Sequence, residues 1–143
     1  MGNRAVITFD KKPSRNSVGI YLHWNGGPES VLAFLEAARH FKVREGDDYE
    51  AARVVQIIGN FFGGTTSIGI ERLSRLDCAN GDNGVFAVSR RLGVISIRQS
   101  PDGKTGWKVL DPIEIKKHPY WKDDEILKNV LGANKAAFDE PKS

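Results

Sequence analysis

The run Gly19-Ile20-Tyr21-Leu22-His23-Trp24-Asn25-Gly26-Gly27-Pro28-Glu29-Ser30 constrains the fold more than any other part of this chain. It reads as a strand that passes through a glycine turn directly into a helix. Pro28 suits the first helical position, where its missing N–H is not needed, and Glu29 suits the positive end of the helix. The two glycines let backbone amides approach a guest, while Tyr21 and Trp24 place polar-tipped rings beside them. Such a junction forces a sheet and a helix into contact. It is also a compact way to build a phosphate or small-molecule site. The turn fits neither the Gly-Lys-Ser/Thr phosphate pattern nor the dinucleotide GxGxxG pattern. A plain turn flanked by core aromatics therefore stays open beside the functional reading.

The rest of the chain supplies partners for that junction. Residues 4–9 and 18–24 are β-rich and are separated by a polar loop. Val31, Leu32, Leu35, Ala38 and Phe41 recur at helical spacing. In residues 49–62, Ala52, Val55, Ile58 and Phe62 form one stripe that Val54, Ile57 and Phe61 widen, and Gly63-Gly64 stops the helix. Residues 65–72 alternate as a strand, residues 77–84 form a tight polar turn, and residues 85–89 and 94–98 read as a hairpin across residues 90–93. Residues 107–110 add an edge strand, and residues 123–131 a short amphipathic helix, packed on the body or on a second subunit. The expected fold class is α+β: a mostly antiparallel sheet with two helices on one face and a short C-terminal helix. One domain is expected over residues 1–143, with its core in 2–110 and an extension in 111–143.

Composition narrows the function classes. The 143 residues are 40% hydrophobic and 27% charged, as in ordinary globular domains, with a formal net charge of +3. That mild surplus suits an anionic partner, and neither predicted helix is basic enough to read duplex DNA. Cys78 is the one cysteine, so a disulfide framework is excluded and a reducing, cytoplasmic setting is expected. No apolar run reaches the roughly 20 residues that cross a bilayer. His23, His40 and His118 are scattered, no HExxH, GxSxG or Cys-His arrangement is present, and Asp77 beside Cys78 disfavours a thiolate. The chain reads as non-enzymatic, with no metal site and no cofactor.

Four constellations remain as candidate ligand contacts. The first is Tyr21, Trp24, Gly26 and Gly27. The second is Asp77-Cys78-Ala79-Asn80-Gly81-Asp82-Asn83-Gly84, which lacks the ligand alternation of a calcium loop but offers Asp82 and Asn83 to ribose or base. The third is the arginine cluster of Arg72, Arg75, Arg90, Arg91 and Arg98, since a guanidinium grips phosphate in a bidentate way. The fourth is Phe61-Phe62 before Gly63-Gly64, with Phe62 as a pocket wall, and Phe86 joins the candidate stacking rings. Each has an ordinary structural counterpart in turns, solvated sheet faces and core. The knot His118-Pro119-Tyr120-Trp121 reads as a docking anchor.

Residues 2–8, 19–27, 60–64 and 80–85 resemble small proteins encoded by phages and prophages of gut and clostridial bacteria, a likeness covering roughly residues 2–98. Within that group the chain looks similar in size and make-up to the anti-Thoeris sponge family. The resemblance implies a phage anti-defence protein acting in the infected host's cytoplasm, which sequesters a cyclic ADP-ribose isomer or cyclic oligonucleotide without degrading it. It carries no ligand residue over to this chain. Arg72, Arg75 and Arg98 for phosphates, ring stacking on adenine, and Asp82 and Asn83 for ribose would make such a site chemically coherent. Burial of the ligand across a subunit interface would make the protein a homo-oligomer. Two alternatives are a protein-binding inhibitor of a CRISPR-type nuclease, and an enzyme that cleaves the same signal with His23 or His40 as base.

Overall fold

The computed structural model describes residues 2–46 and 48–139. Six strands form one sheet: β1 Ala5–Thr8, β2 Val18–Leu22, β3 Ile68–Arg72, β4 Val85–Arg91, β5 Val94–Ser100 and β6 Lys108–Leu110. Their order is β3-β2-β1-β4-β5-β6. Every neighbouring pair is antiparallel except β1 with β4, which run parallel. Four α-helices accompany the sheet: α1 Pro28–His40, α2 Asp48–Phe62, α3 Pro112–Lys116 and α4 Glu125–Asp139. The class is the expected α+β with a mostly antiparallel sheet.

Alternation sorts the strands onto two faces. Ala5, Ile7, Ile20, Leu22, Phe86, Val88 and Ile97 point into the main core with the helices. Val6, Val85 and the half-buried Tyr21 point the other way, into a small second cluster. That second cluster exists because β3 must reach β4 across two intervening strands. Residues 73–84 make the crossing, and Leu73, Leu76 and Cys78 pack onto Val6 and Val85 as they pass. Central β1 is thus covered on both sides, and all four of its residues are buried.

The helices bury more than the expected stripes. In α1 every residue from Ser30 to Ala38 is buried, because α4 lies on it and on α2. Buried Glu36 is tolerated there because Arg39 and Lys116 pair with it at 2.8 and 2.9 Å. In α2 the buried positions are Glu50, Val54, Ile57 and Ile58, while Ala52 is exposed. Val55, Phe61 and Phe62 pack half-buried against the same core, so of the expected apolar face only Ala52 is turned outward.

The C-terminal helix is longer than its sequence pattern and docks on the body. Asn134, fully buried, donates to the carbonyls of Ile57 and Val130 and accepts from Asn60, while Phe138 stacks on Phe41 at 4.8 Å. The expected docking anchor is only half external: Tyr120 is 69% exposed, but Trp121 is 3% exposed and belongs to the core. The β4–β5 connection is a two-residue turn with Leu92 at φ 54° and Gly93 at φ 78°, rather than the four residues expected. Glu45, in the α1–α2 connection, accepts from the amides of Leu92 and Gly93 and pairs with Arg90, which fastens the hairpin tip. The expected cap at residues 46–48 includes Asp47, which lies outside the described residues.

Candidate functional site

Two predicted loops meet at one end of the sheet. Gly26 N donates to Asn3 O at 2.8 Å. Asn83 Nδ2 donates to Asn3 Oδ1 at 2.6 Å and to Arg4 O at 3.0 Å. Arg4 grips Asp82 Oδ2 through both its backbone amide (3.0 Å) and its Nε (2.8 Å). Buried Asn80 organises the loop between them, accepting from the amides of Asp82 and Gly84. The glycine turn and the Asp82–Asn83 loop are therefore neighbours, on either side of the strand that begins at Ala5.

Their polar groups are used within the fold. The Gly26 amide is taken by Asn3, and a Cβ at Gly26 would lie 2.6 Å from Asn3 O, so this glycine serves close backbone packing. The N-terminus of α1 already faces an anion: Glu29 belongs to its first turn and pairs with His118 at 3.3 Å. The Arg4 hydrogen bond holds the Asp82 carboxyl below its ordinary range. Tyr21 Oη contacts His23 Nδ1 at 3.0 Å, and Trp24, 42% exposed, meets the His23 ring edge-on. Phe62 packs against Phe34 and Phe61. Phe86 is fully buried; its ring belongs to the core, which corrects the expectation that it stacks on a ligand.

The opposite end of the sheet holds an opening. β1 stops at Thr8, opposite Ala87, while β4 continues to Arg91 and β5 begins at Val94. The shortfall of β1 leaves an open groove of about 1190 Å³. Val18, Ile20, Val55, Ile70 and Val88 give it an apolar floor. Lys11, Arg91 and Arg98 stand on the β side, and Glu45, Asp48 and Glu50 on the α2 side. Arg90 lies beneath, 3% exposed, donating to Val43 O and paired with Glu45. Burial pushes the Glu45 carboxyl up, but the amides of Gly93 and Leu92 together with Arg90 outweigh it and hold Glu45 below its usual range. Arg98 is fixed in place: its guanidinium lies 5.2 Å from the centre of the Trp107 ring and donates to Lys11 O.

Arg98 is the one expected site residue that lines this groove. Arg72 is close to it, paired in register with Val18 at the edge of the floor, whereas Arg75 sits on the exposed 3₁₀ turn that begins the crossing. Arg91 was part of the arginine cluster without an assigned role. Lys11 and the apolar floor were not anticipated, since they depend on where β1 ends. Ile20 and Val88 of the floor lie on the helix side of the sheet, whereas the register puts Arg91 and Arg98 on its other face, so these cations border the groove around the free end of β1. A flat ring on the floor can send attached phosphates around that end toward them, and Asp48 can accept from hydroxyls. Among the described residues no group of three or more His, Cys, Asp or Glu is placed to hold a metal ion. Burial, with Asp77 adding to it, pushes the Cys78 thiol up, away from thiolate chemistry. No helix among the described residues is long and apolar enough to cross a membrane. No family model, no curated protein and no solved structure matches the chain.

Proposed function

We propose that this protein captures a phosphate-bearing nucleotide signal, a cyclic ADP-ribose isomer or a cyclic oligonucleotide, in the groove at the end of β1 and holds it without chemistry. Such sequestration is the anti-defence activity implied by the phage families it resembles. The observation that supports this reading is a single groove that joins a large apolar floor on the helix side of the sheet to a basic wall of Lys11, Arg91 and Arg98 around the free end of β1. Phosphates would face that wall, a nucleobase the floor, and ribose hydroxyls Asp48. Capture fits the state of the acids as well. Glu45 is committed to the hairpin amides and Arg90, so it is held as an ion and is poorly suited to passing protons.

Calorimetric titration with cyclic ADP-ribose isomers and a panel of cyclic di- and trinucleotides tests the proposal, with chromatography of the ligand afterwards. Binding with intact ligand recovered is the expected result, weakened at least tenfold by Arg91→Ala, about 1.4 kcal/mol. A converted ligand would identify an enzyme. No heat with any member of the panel would end the signal-binding reading and favour a protein partner.

A further inference from the structure

Residues 73–84 cover only part of the sheet face that looks away from the helices: along the strip on β4 and β5, Ala87 is buried, Ser89 and Arg98 are half-buried, and Arg91, Val94 and Ser96 are exposed. Alternation places Ala87, Ser89 and Arg91 of β4 on that strip, beside Arg98, Ser96 and Val94 of β5, in three cross-strand rungs. The rungs are Ala87–Arg98, Ser89–Ser96 and Arg91–Val94. They succeed one another every two residues, roughly 7 Å apart. A cation thus stands at each end, with a pair of hydroxyls midway. No carboxylate occupies any of the six positions.

Charge and rigidity distinguish this row from an ordinary solvated face. Arg98 lies over the Trp107 ring and is tied to Lys11 O, which brings Lys11 alongside. Asp10, next to Lys11 in sequence, is engaged by Ser17 Oγ at 2.6 Å. Arg91 is exposed. Beside the row, Val94 is 68% exposed, offering apolar surface to sugars or bases. We propose that this strip binds single-stranded nucleic acid, with successive phosphates of an extended chain at Arg98, at the Ser89–Ser96 pair and at Arg91. The inference does not rest on capture of a cyclic signal. The two share Arg91 and Arg98 but ask for different ligands, and a flat row of short side chains suits a flexible single strand better than a duplex groove.

Fluorescence anisotropy tests it with a labelled oligothymidylate about twelve nucleotides long. At about 50 mM salt the dissociation constant is expected between about 1 and 100 µM, and log K should fall with log salt at a slope near −2, as about three neutralised phosphates require. Arg91→Ala, at an exposed position, should weaken binding several-fold and lower the slope by about 0.7. Arg98→Ala should do the same where circular dichroism shows it folded. Lys128→Ala, an equal change of net charge on α4, should leave both quantities unchanged. The proposal is overturned by no binding at low salt, by an inert Arg91→Ala, by an equal loss from Lys128→Ala, or by a matched duplex binding as tightly as the single strand.

Discussion

Asn83 and Asn3, eighty positions apart, are joined by a 2.6 Å hydrogen bond between their side chains. Because the Asn3 carbonyl also takes the Gly26 amide, this one residue ties together the two glycine-rich loops that look most like ligand loops in the sequence. The tie makes them a structural clasp at the start of β1, and it moves the candidate binding site to the other end of that strand.

Gly26→Ala separates the clasp from a cradle. Its new Cβ would sit 2.6 Å from Asn3 O and 2.7 Å from the Ala5 Cβ, neither of which can swing aside. A loss of about 2–4 kcal/mol in unfolding free energy is expected by urea titration. Ligand affinity per folded molecule should not change. Unaltered stability with lost binding would restore the cradle.

Acid stability should carry a signature of Asp102. The amides of Thr105 and Lys104, in that order of effect, lower its carboxyl from an ordinary 3.8 to about 2. A depressed carboxyl stabilises the fold fully above the unfolded value and ceases to do so as pH falls through the folded one. The contribution of the 100–105 turn should therefore fade between about pH 4 and pH 2. Asp102→Asn should flatten stability against pH in that window and nowhere above it. Denaturant midpoints measured across the window decide the matter.

Trp121 is buried, and its indole N–H meets no acceptor among the described residues. Its value to the fold is apolar volume. Trp121→Phe is expected to change stability by less than about 1 kcal/mol, since it removes an unsatisfied donor along with some packing. Trp121→Ala should cost about 3–5 kcal/mol. A large penalty for the phenylalanine variant in thermal unfolding would show that the indole nitrogen has an unseen partner.

What the sequence disclosed follows from the range of its signals. Local patterns identified β2, the Gly27–Pro28 helix start and the Gly63–Gly64 stop, because each depends on a few adjacent residues. They missed the burial of Trp121 and the full length of α4, since Asn134 and Phe138 become core positions only against Ile57 and Phe41 from distant helices. The broad apolar face of α2 was legible, but not which of its columns lies deepest: tertiary contact buries Val54, Ile57 and Ile58 and turns Ala52 outward. The clasp was visible only as residue types. Asn3 gives no local sign that it joins Gly26 to Asn83. The groove was least legible of all, because it is produced by β1 ending before its neighbours, a relation among three strands.

The most direct test of the groove is hydrogen–deuterium exchange with and without the cyclic ligand that calorimetry identifies. Binding as proposed should slow exchange in segments 8–11, 45–55 and 87–98, and leave segments 23–30 and 80–84 unchanged. Protection confined to the last two segments would place the ligand on the clasp at Asn3 and contradict the account.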